Sequence, residues 1–171
     1  PLFVSVNLSS AQLISSEIYN DVRAMLTKTQ CDPSRIKLEL TESVVMENPE
    51  QARLMLEKLK ATGISLALDD FGTGYSSLSY LTRFPFDTIK LDKALVCDQS
   101  DKKSVLLRSV VSMARGLDMQ VVAEGIQTDQ DAADLAMMGC DFGQSYLFGA
   151  PLGAESVQRL LKERFPLTKR A

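Results

Sequence analysis

Short apolar runs alternate with amphipathic stretches from one end of the chain to the other. Phe3 to Val6, Ile36 to Leu40, Ile64 to Leu68, Thr88 to Leu91, Gln120 to Ala123 and Tyr146 to Phe148 read as strands. Apolar runs this short, with few polar interruptions, suit strands buried on both faces. The stretches between them have helical spacing. Ser9 or Ser10 caps a first helix whose apolar stripe is Leu13, Ile14, Ile18, Val22, Met25 and Leu26. Asn48 followed by Pro49 opens a second, running through Leu54, Leu56 and Leu59 and stopping at Gly63. A short helix is expected around Ser77 to Leu81, then one from about Asp101 that buries Val105, Leu106, Val110, Met113 and Leu117. Thr128, with Asp131 three residues on, resembles a capping box for a helix to Met138 with Gly139 as its stop. A last helix spans Ala154 to about Arg164.

Strand-then-helix units repeated in this way imply a parallel sheet with helices outside it. No linker-like or low-complexity segment interrupts them, so residues 1–171 read as a single domain. The polar residues decide between an open sheet and a barrel. Asn7, Glu39, Asp69, Lys90, Glu124 and Gln144 lie at or near the carboxyl ends of successive strands, spaced 32, 30, 21, 34 and 20 residues apart. An open doubly wound sheet gathers function at one switch point. Groups on so many strands converge only if the sheet curls, so the fold class is α/β, a TIM-like barrel with about six of its eight strands.

Composition narrows the chemistry. The 171 residues can bury one substantial core. A net charge of −3 argues against a footprint for duplex nucleic acid. Cys31, Cys97 and Cys140 are scattered, without C-x-x-C spacing, which fits a reduced, cytoplasmic setting. No run approaches the ~20 apolar residues of a membrane span, so no membrane insertion by this segment is expected, although a parent protein can be anchored elsewhere. Histidine is absent altogether, which excludes a Ser-His-Asp triad and an imidazole base. Chemistry must run on carboxylates, amides, lysine and water held by metal. The chain starts at Pro1 and enters a strand almost at once, as a piece of a longer protein would.

Ser65 to Gly74 carries most of the functional information. Its apolar strand ends in Asp69 and Asp70, followed by Phe71, Gly72, Thr73 and Gly74. Two adjacent carboxylates at a sheet rim are costly without a cation, and a divalent metal is the usual answer. Strand alternation points only one of them straight into a barrel; Asp69 is assigned there, with Asp70 turning in from the loop. Lys90 interrupts an apolar strand and needs a partner, either the carboxylates across the mouth or Asp87 or Asp92 nearby. Such a set of oxygen donors suits Mg²⁺ or Mn²⁺, and two such ions can clamp both oxygens of a phosphodiester displacement.

These segments resemble the EAL-domain cyclic-di-GMP phosphodiesterases of bacterial signalling. V-N-L-S (6–9), E-L-T-E (39–42), D-D-F-G-T-G-Y-S-S-L (69–78), D-T-I-K-L-D (87–92), A-E-G (123–125) and G-Q-S-Y-L-F (143–148) occur in the family's order and spacing. The resemblance implies metal-dependent hydrolysis of cyclic-di-GMP to linear pGpG. It implies metal binding by Asn7, Glu39, Asp69 and Asp70, with Asp69 bridging two ions. Lys90 is expected to orient, or deprotonate, the attacking water, and Glu124 to support the metal–water cluster. Gln144 is expected to contact the ligand. Glu42 resembles an anchor for the regulatory loop that includes Phe71, Gly72, Thr73 and Gly74, a loop tied to dimerisation. A homodimer and an upstream sensory or GGDEF-like domain are the implied partners besides cyclic-di-GMP.

The chain also departs from that family. The Glu-Ala-Leu strand is absent, with the arginine that follows it, so the chain resembles the carboxyl-terminal two-thirds of the domain from its third strand on. Gln127 stands where the family usually has glutamate, and Ser145 where it usually has glycine. The isolated chain is therefore expected to be weak or inactive as an enzyme. The alternatives are a non-catalytic cyclic-di-GMP receptor or interaction module, and an unrelated metal-dependent barrel enzyme.

Overall fold

The computed structural model describes residues 2–15, 17–72, 81–97 and 101–164, with 101–103 as backbone only. The chain alternates strands and helices. β1 (Val4–Asn7) is followed by α1 (Ser10–Ile14) and α2 (Ile18–Thr29), and β2 (Ile36–Thr41) by α3 (Glu42–Glu47) and α4 (Pro49–Lys60). β3 (Ser65–Phe71) leads to β4 (Thr88–Leu91), then α5 (Lys93–Val96) and α6 (Asp101–Gly116). β5 (Gln120–Glu124), α7 (Asp129–Met138), β6 (Phe142–Gln144) and α8 (Ala154–Arg164) complete the order.

Among the described residues six strands, all parallel, pair in sequence order, so β1 and β6 form the two ends of one sheet. The sheet is nevertheless curled. The rings of Phe3, just before β1, and Phe142, on β6, meet edge-on with centroids 5.4 Å apart. This is the arc of a TIM-like barrel, short of the eight strands that close one.

Strand parity sorts the side chains. Leu38 and Leu40, Leu66 and Leu68, Ile89 and Leu91, and Val121 and Ala123 face outward and are buried. They belong to one apolar core with Leu56 and Leu59 of α4 and Val110, Val111 and Ala114 of α6. Leu56 and Leu59 are fully buried, and truncating either to alanine costs about 2–5 kcal/mol. The opposite face carries Lys37, Glu39, Asp69, Thr88 and Lys90 buried inside the arc, beside the apolar Ala67 and Val122. The inner face thus holds the charged groups while the outer face packs against the helices.

Several expected elements differ in detail. The first helix is two, because Ser15 takes an extended conformation and ends α1. Val105 and Leu106 are exposed on α6, whose buried stripe is Leu107, Val110, Val111 and Ala114. Ile14 and Leu54 are exposed too, and Ala52 takes the inward place on α4. Helices α3 and α5 were not expected; each is too short to show a helical period. The last strand is Phe142–Gln144 and not Tyr146 to Phe148. The aromatic run there forms a turn instead, with Leu147 N donating to Ser145 Oγ at 3.0 Å and Phe148 N to the Ser145 carbonyl at 3.2 Å. The expected helix around Ser77 to Leu81 lies almost wholly outside the described residues, as do Thr73 and Gly74.

Candidate active site at the carboxyl ends of the strands

Lys90 organises the site. Its Nζ lies 2.7 Å from Glu39 Oε2, 2.9 Å from Asp69 Oδ2 and 2.7 Å from Glu124 Oε1. The parallel register brings β2, β3, β4 and β5 side by side, and Glu39, Asp69, Lys90 and Glu124 share the inward parity. Of the partners open to Lys90, the carboxylates across the mouth take it. Asp87 instead pairs with Lys60 and accepts the Leu66 amide at 2.9 Å, while Asp92 caps α5 by accepting the Ala94 amide at 2.7 Å. Burial alone pulls the Lys90 ammonium down, but the hydrogen bonds it donates to Glu124, Glu39 and Asp69 outweigh it and hold it above the ordinary lysine range. Lys90 is thus the shared partner of all three carboxylates.

Asp70 reaches the same site by a backbone device. Its φ of 56° is left-handed, which a non-glycine residue rarely adopts. The β3–β4 register shifts between Leu68 and Phe71, an irregularity of the kind that re-aims a side chain. The turn brings carboxylate oxygens of Asp69, Asp70 and Glu124 within 4.8 Å of one another. Burial first, then the charges of Asp69 and Asp92, push the Asp70 carboxyl upward. Burial likewise raises Glu124, against the pull of Lys90. Three hard oxygen donors in so small a space, two of them reluctant to ionise unaided, fit a divalent cation.

The remaining candidates take different places. Asn7 stands exposed at the end of β1, in register with Glu39. Glu39 is drawn to Lys90 and lies outside the close carboxylate group. Gln144 is in register with Glu124 on β6 and borders both the interior of the arc and a cavity beside Glu124. Glu42 opens α3, the buried Phe71 ends β3, and Gly72 follows it at a φ of 102°.

Comparison with known proteins places the arrangement. The EAL domain family model matches residues 1–151. The chain belongs to the EAL domain family. A relative from Pseudomonas aeruginosa named cyclic di-GMP phosphodiesterase NbdA is 37% identical over 163 residues, 94% of this chain and 21% of that protein. The structure of PaMucR phosphodiesterase in its c-di-GMP complex superposes with a TM-score of 0.84 at 34% identity, covering 91% of this chain and 64% of that one. The manganese/cy-diGMP complex of Klebsiella pneumoniae BlrP1 gives 0.79 at 35% identity, covering 85% and 38%. The chain spans about a fifth of the length of the first curated relatives it matches. The fold of this EAL chain is thus the TIM-like barrel of its neighbours, and its carboxylates sit where strand ends converge.

Two features of the EAL site escaped sequence reasoning. Lys37 is buried two residues before Glu39, with Nζ 3.3 Å from Gln120 Oε1 and 4.4 Å from the Phe3 ring centroid. The shared parity with Glu39 was the available signal. Gly125, next to Glu124, has a φ of 70°, and a Cβ there would collide with the Lys93 side chain. The glycine lets α5 pack directly against the strand end that carries Glu124.

Proposed function

We propose that this EAL chain is the catalytic part of a phosphodiesterase that opens cyclic-di-GMP to linear pGpG with Mg²⁺ or Mn²⁺. The carrying observation is the cluster of Glu39, Asp69 and Glu124 around Lys90, with Asp70 turned into it. Asp69, Asp70 and Glu124 hold the metal in this reading, with Glu39 and Asn7 on adjoining strand ends as further ligands. A bound divalent ion supplies Lewis acidity toward the phosphoryl oxygens and makes water more acidic. Lys90 fixes Glu39, Asp69 and Glu124 through its ion pairs and orients, or deprotonates, the attacking water. Gln144 contacts the nucleotide beside Glu124. Glu42 anchors the loop that begins at Phe71 and Gly72 and continues through Thr73 and Gly74, and so ties the site to dimerisation.

Two kinds of observation support the reading. The relative NbdA bears the name of a cyclic di-GMP phosphodiesterase, and neighbouring structures are complexes with c-di-GMP and with manganese. The relative MucR is a bifunctional diguanylate cyclase/cyclic di-GMP phosphodiesterase, which fits a cyclase-bearing partner domain in the parent protein. Among the described residues no helix is long and apolar enough to cross a membrane. The test is product analysis by chromatography after incubating full-length protein with cyclic-di-GMP and Mn²⁺ or Mg²⁺. The expected result is pGpG, abolished by chelation; nucleotide bound but not cleaved would favour a receptor instead.

A further inference from the structure

A cavity of about 810 Å³ opens directly beside Glu124, within the range of small-molecule sites. Tyr146 stands on its wall with 80% of its surface exposed. Ile126 and Pro151 give the wall an apolar portion, and the carboxamides of Gln127 and Gln144 supply polar groups. A large aromatic ring left in solvent beside an apolar wall is a stacking surface, since every nucleobase offers a π face. A phosphodiester held at Asp69, Asp70 and Glu124 has a sugar and base adjoining it, and this cavity adjoins Glu124.

The identity of the polar groups sets the discrimination. A carboxylate accepts the two N–H donors on the Watson–Crick edge of guanine and opposes the ring acceptor of adenine. A carboxamide carries both a donor and an acceptor. It pairs with the O6 and N1–H of guanine or, turned over, with the N1 and N6–H of adenine. The one carboxylate on this wall among the described residues, Glu124, is already engaged by Lys90 at 2.7 Å.

We propose that this cavity is a purine subsite that does not distinguish guanine from adenine, with Tyr146 as its stacking face and Gln127 and Gln144 as its edge readers. Resting on the phosphodiesterase reading above, the inference extends the substrate class to mixed guanine–adenine cyclic dinucleotides. In each case water adds its oxygen to phosphorus, one P–O3′ bond breaks, and the departing 3′ oxygen takes a proton. The product is a linear dinucleotide with a 5′ phosphate.

The test uses full-length protein with Mn²⁺ and 3′,3′-cyclic GMP–AMP, in which either phosphodiester can be cleaved. A subsite that takes both purines yields both linear products, pGpA and pApG, within about fivefold of one another. Gln127→Glu is expected to skew that mixture at least tenfold toward one product. Tyr146→Ala should raise KM about tenfold with kcat little changed, and Tyr146→Phe should not. A single linear product from the mixed substrate, alongside normal opening of cyclic-di-GMP, would overturn the purine proposal alone. An unchanged KM for Tyr146→Ala would overturn the stacking role. If cyclic-di-GMP and the mixed substrate both survive while bis(p-nitrophenyl) phosphate is cleaved, the cyclic-dinucleotide reading itself falls.

Discussion

The backbone amide of Asp70 donates a 2.9 Å hydrogen bond to Oδ1 of its own neighbour, Asp69. With φ at 56°, Asp70 breaks the alternation that would send it to the other face of the sheet. Left-handed backbone costs about 1–2 kcal/mol in an ordinary residue and less in Asp or Asn. That cost is accepted where two carboxylates must share one side. Asp70→Asn keeps the backbone tolerance and removes the charge. Its metal-free stability in urea should match or slightly exceed that of the parent, while the Mn²⁺-induced rise in Tm should be largely lost. Retention of the full Mn²⁺ shift would remove Asp70 from the ligand set.

Lys90 offsets three carboxylates from a position only 3% exposed. Replacing it with methionine leaves buried negative charge without a partner, a loss of about 3–5 kcal/mol. Saturating divalent metal should restore part of that stability, since the ion binds the folded state and now supplies the missing positive charge. Denaturant unfolding of Lys90→Met with and without Mn²⁺ checks both halves. A loss below about 1 kcal/mol would mean the carboxylates do not depend on this cation.

The raised carboxyls of Asp70 and Glu124 give metal binding a pH signature. Each must lose its proton to serve as a ligand, and each holds that proton to a higher pH than the ordinary values of 3.8 and 4.5. Without metal, their ionisation against burial subtracts from stability as pH rises through the raised values. Metal-induced stabilisation therefore runs the opposite way, present above the raised values and lost as pH falls through them. Thermal shifts with Mn²⁺ from pH 4 to 8 should shrink toward the acid end, starting above the ordinary carboxylate range. A shift that is flat down to the ordinary values would contradict this environment for the pair.

Gly125 links site and scaffold. At a φ of 70°, with Lys93 where a Cβ would be, alanine forces α5 away from β5. Overpacking of this sort costs about 1–3 kcal/mol. It should also lower turnover by displacing the neighbouring Glu124. Normal kcat in a Gly125→Ala variant of reduced stability would separate the two effects and show that Glu124 tolerates the shift.

Much of this architecture was legible because local chemistry and global fold agree. The Thr128–Asp131 capping box forms reciprocally, and Gly139 ends α7 in a left-handed turn. The strands around Leu38, Leu66, Ile89 and Val121 were visible as short apolar runs. The sequence misled where tertiary packing overrides pattern. Tyr146 to Phe148 has strand-like apolarity, yet Gly143 is the residue that lets β6 lie against Ile126 and Phe148, where a Cβ would come within 2.8 Å of both. Val105 and Leu106 fit a helical stripe nearly as well as Leu107 and Val110, and only the neighbouring strands decide between the faces. Lys37 carries no motif of its own, and only the register that sets it two residues before Glu39 on the inward face shows that it is buried.

The proposed metal-dependent phosphodiester centre rests on the carboxylates gathered by Lys90. The most direct measurement is pGpG formation from cyclic-di-GMP by full-length protein and its Glu39→Ala variant, each with Mn²⁺ and with chelator. Turnover is expected only for the parent with metal, and none for Glu39→Ala at a metal concentration that saturates the parent. Undiminished pGpG formation by Glu39→Ala, or by the parent under chelation, would contradict it.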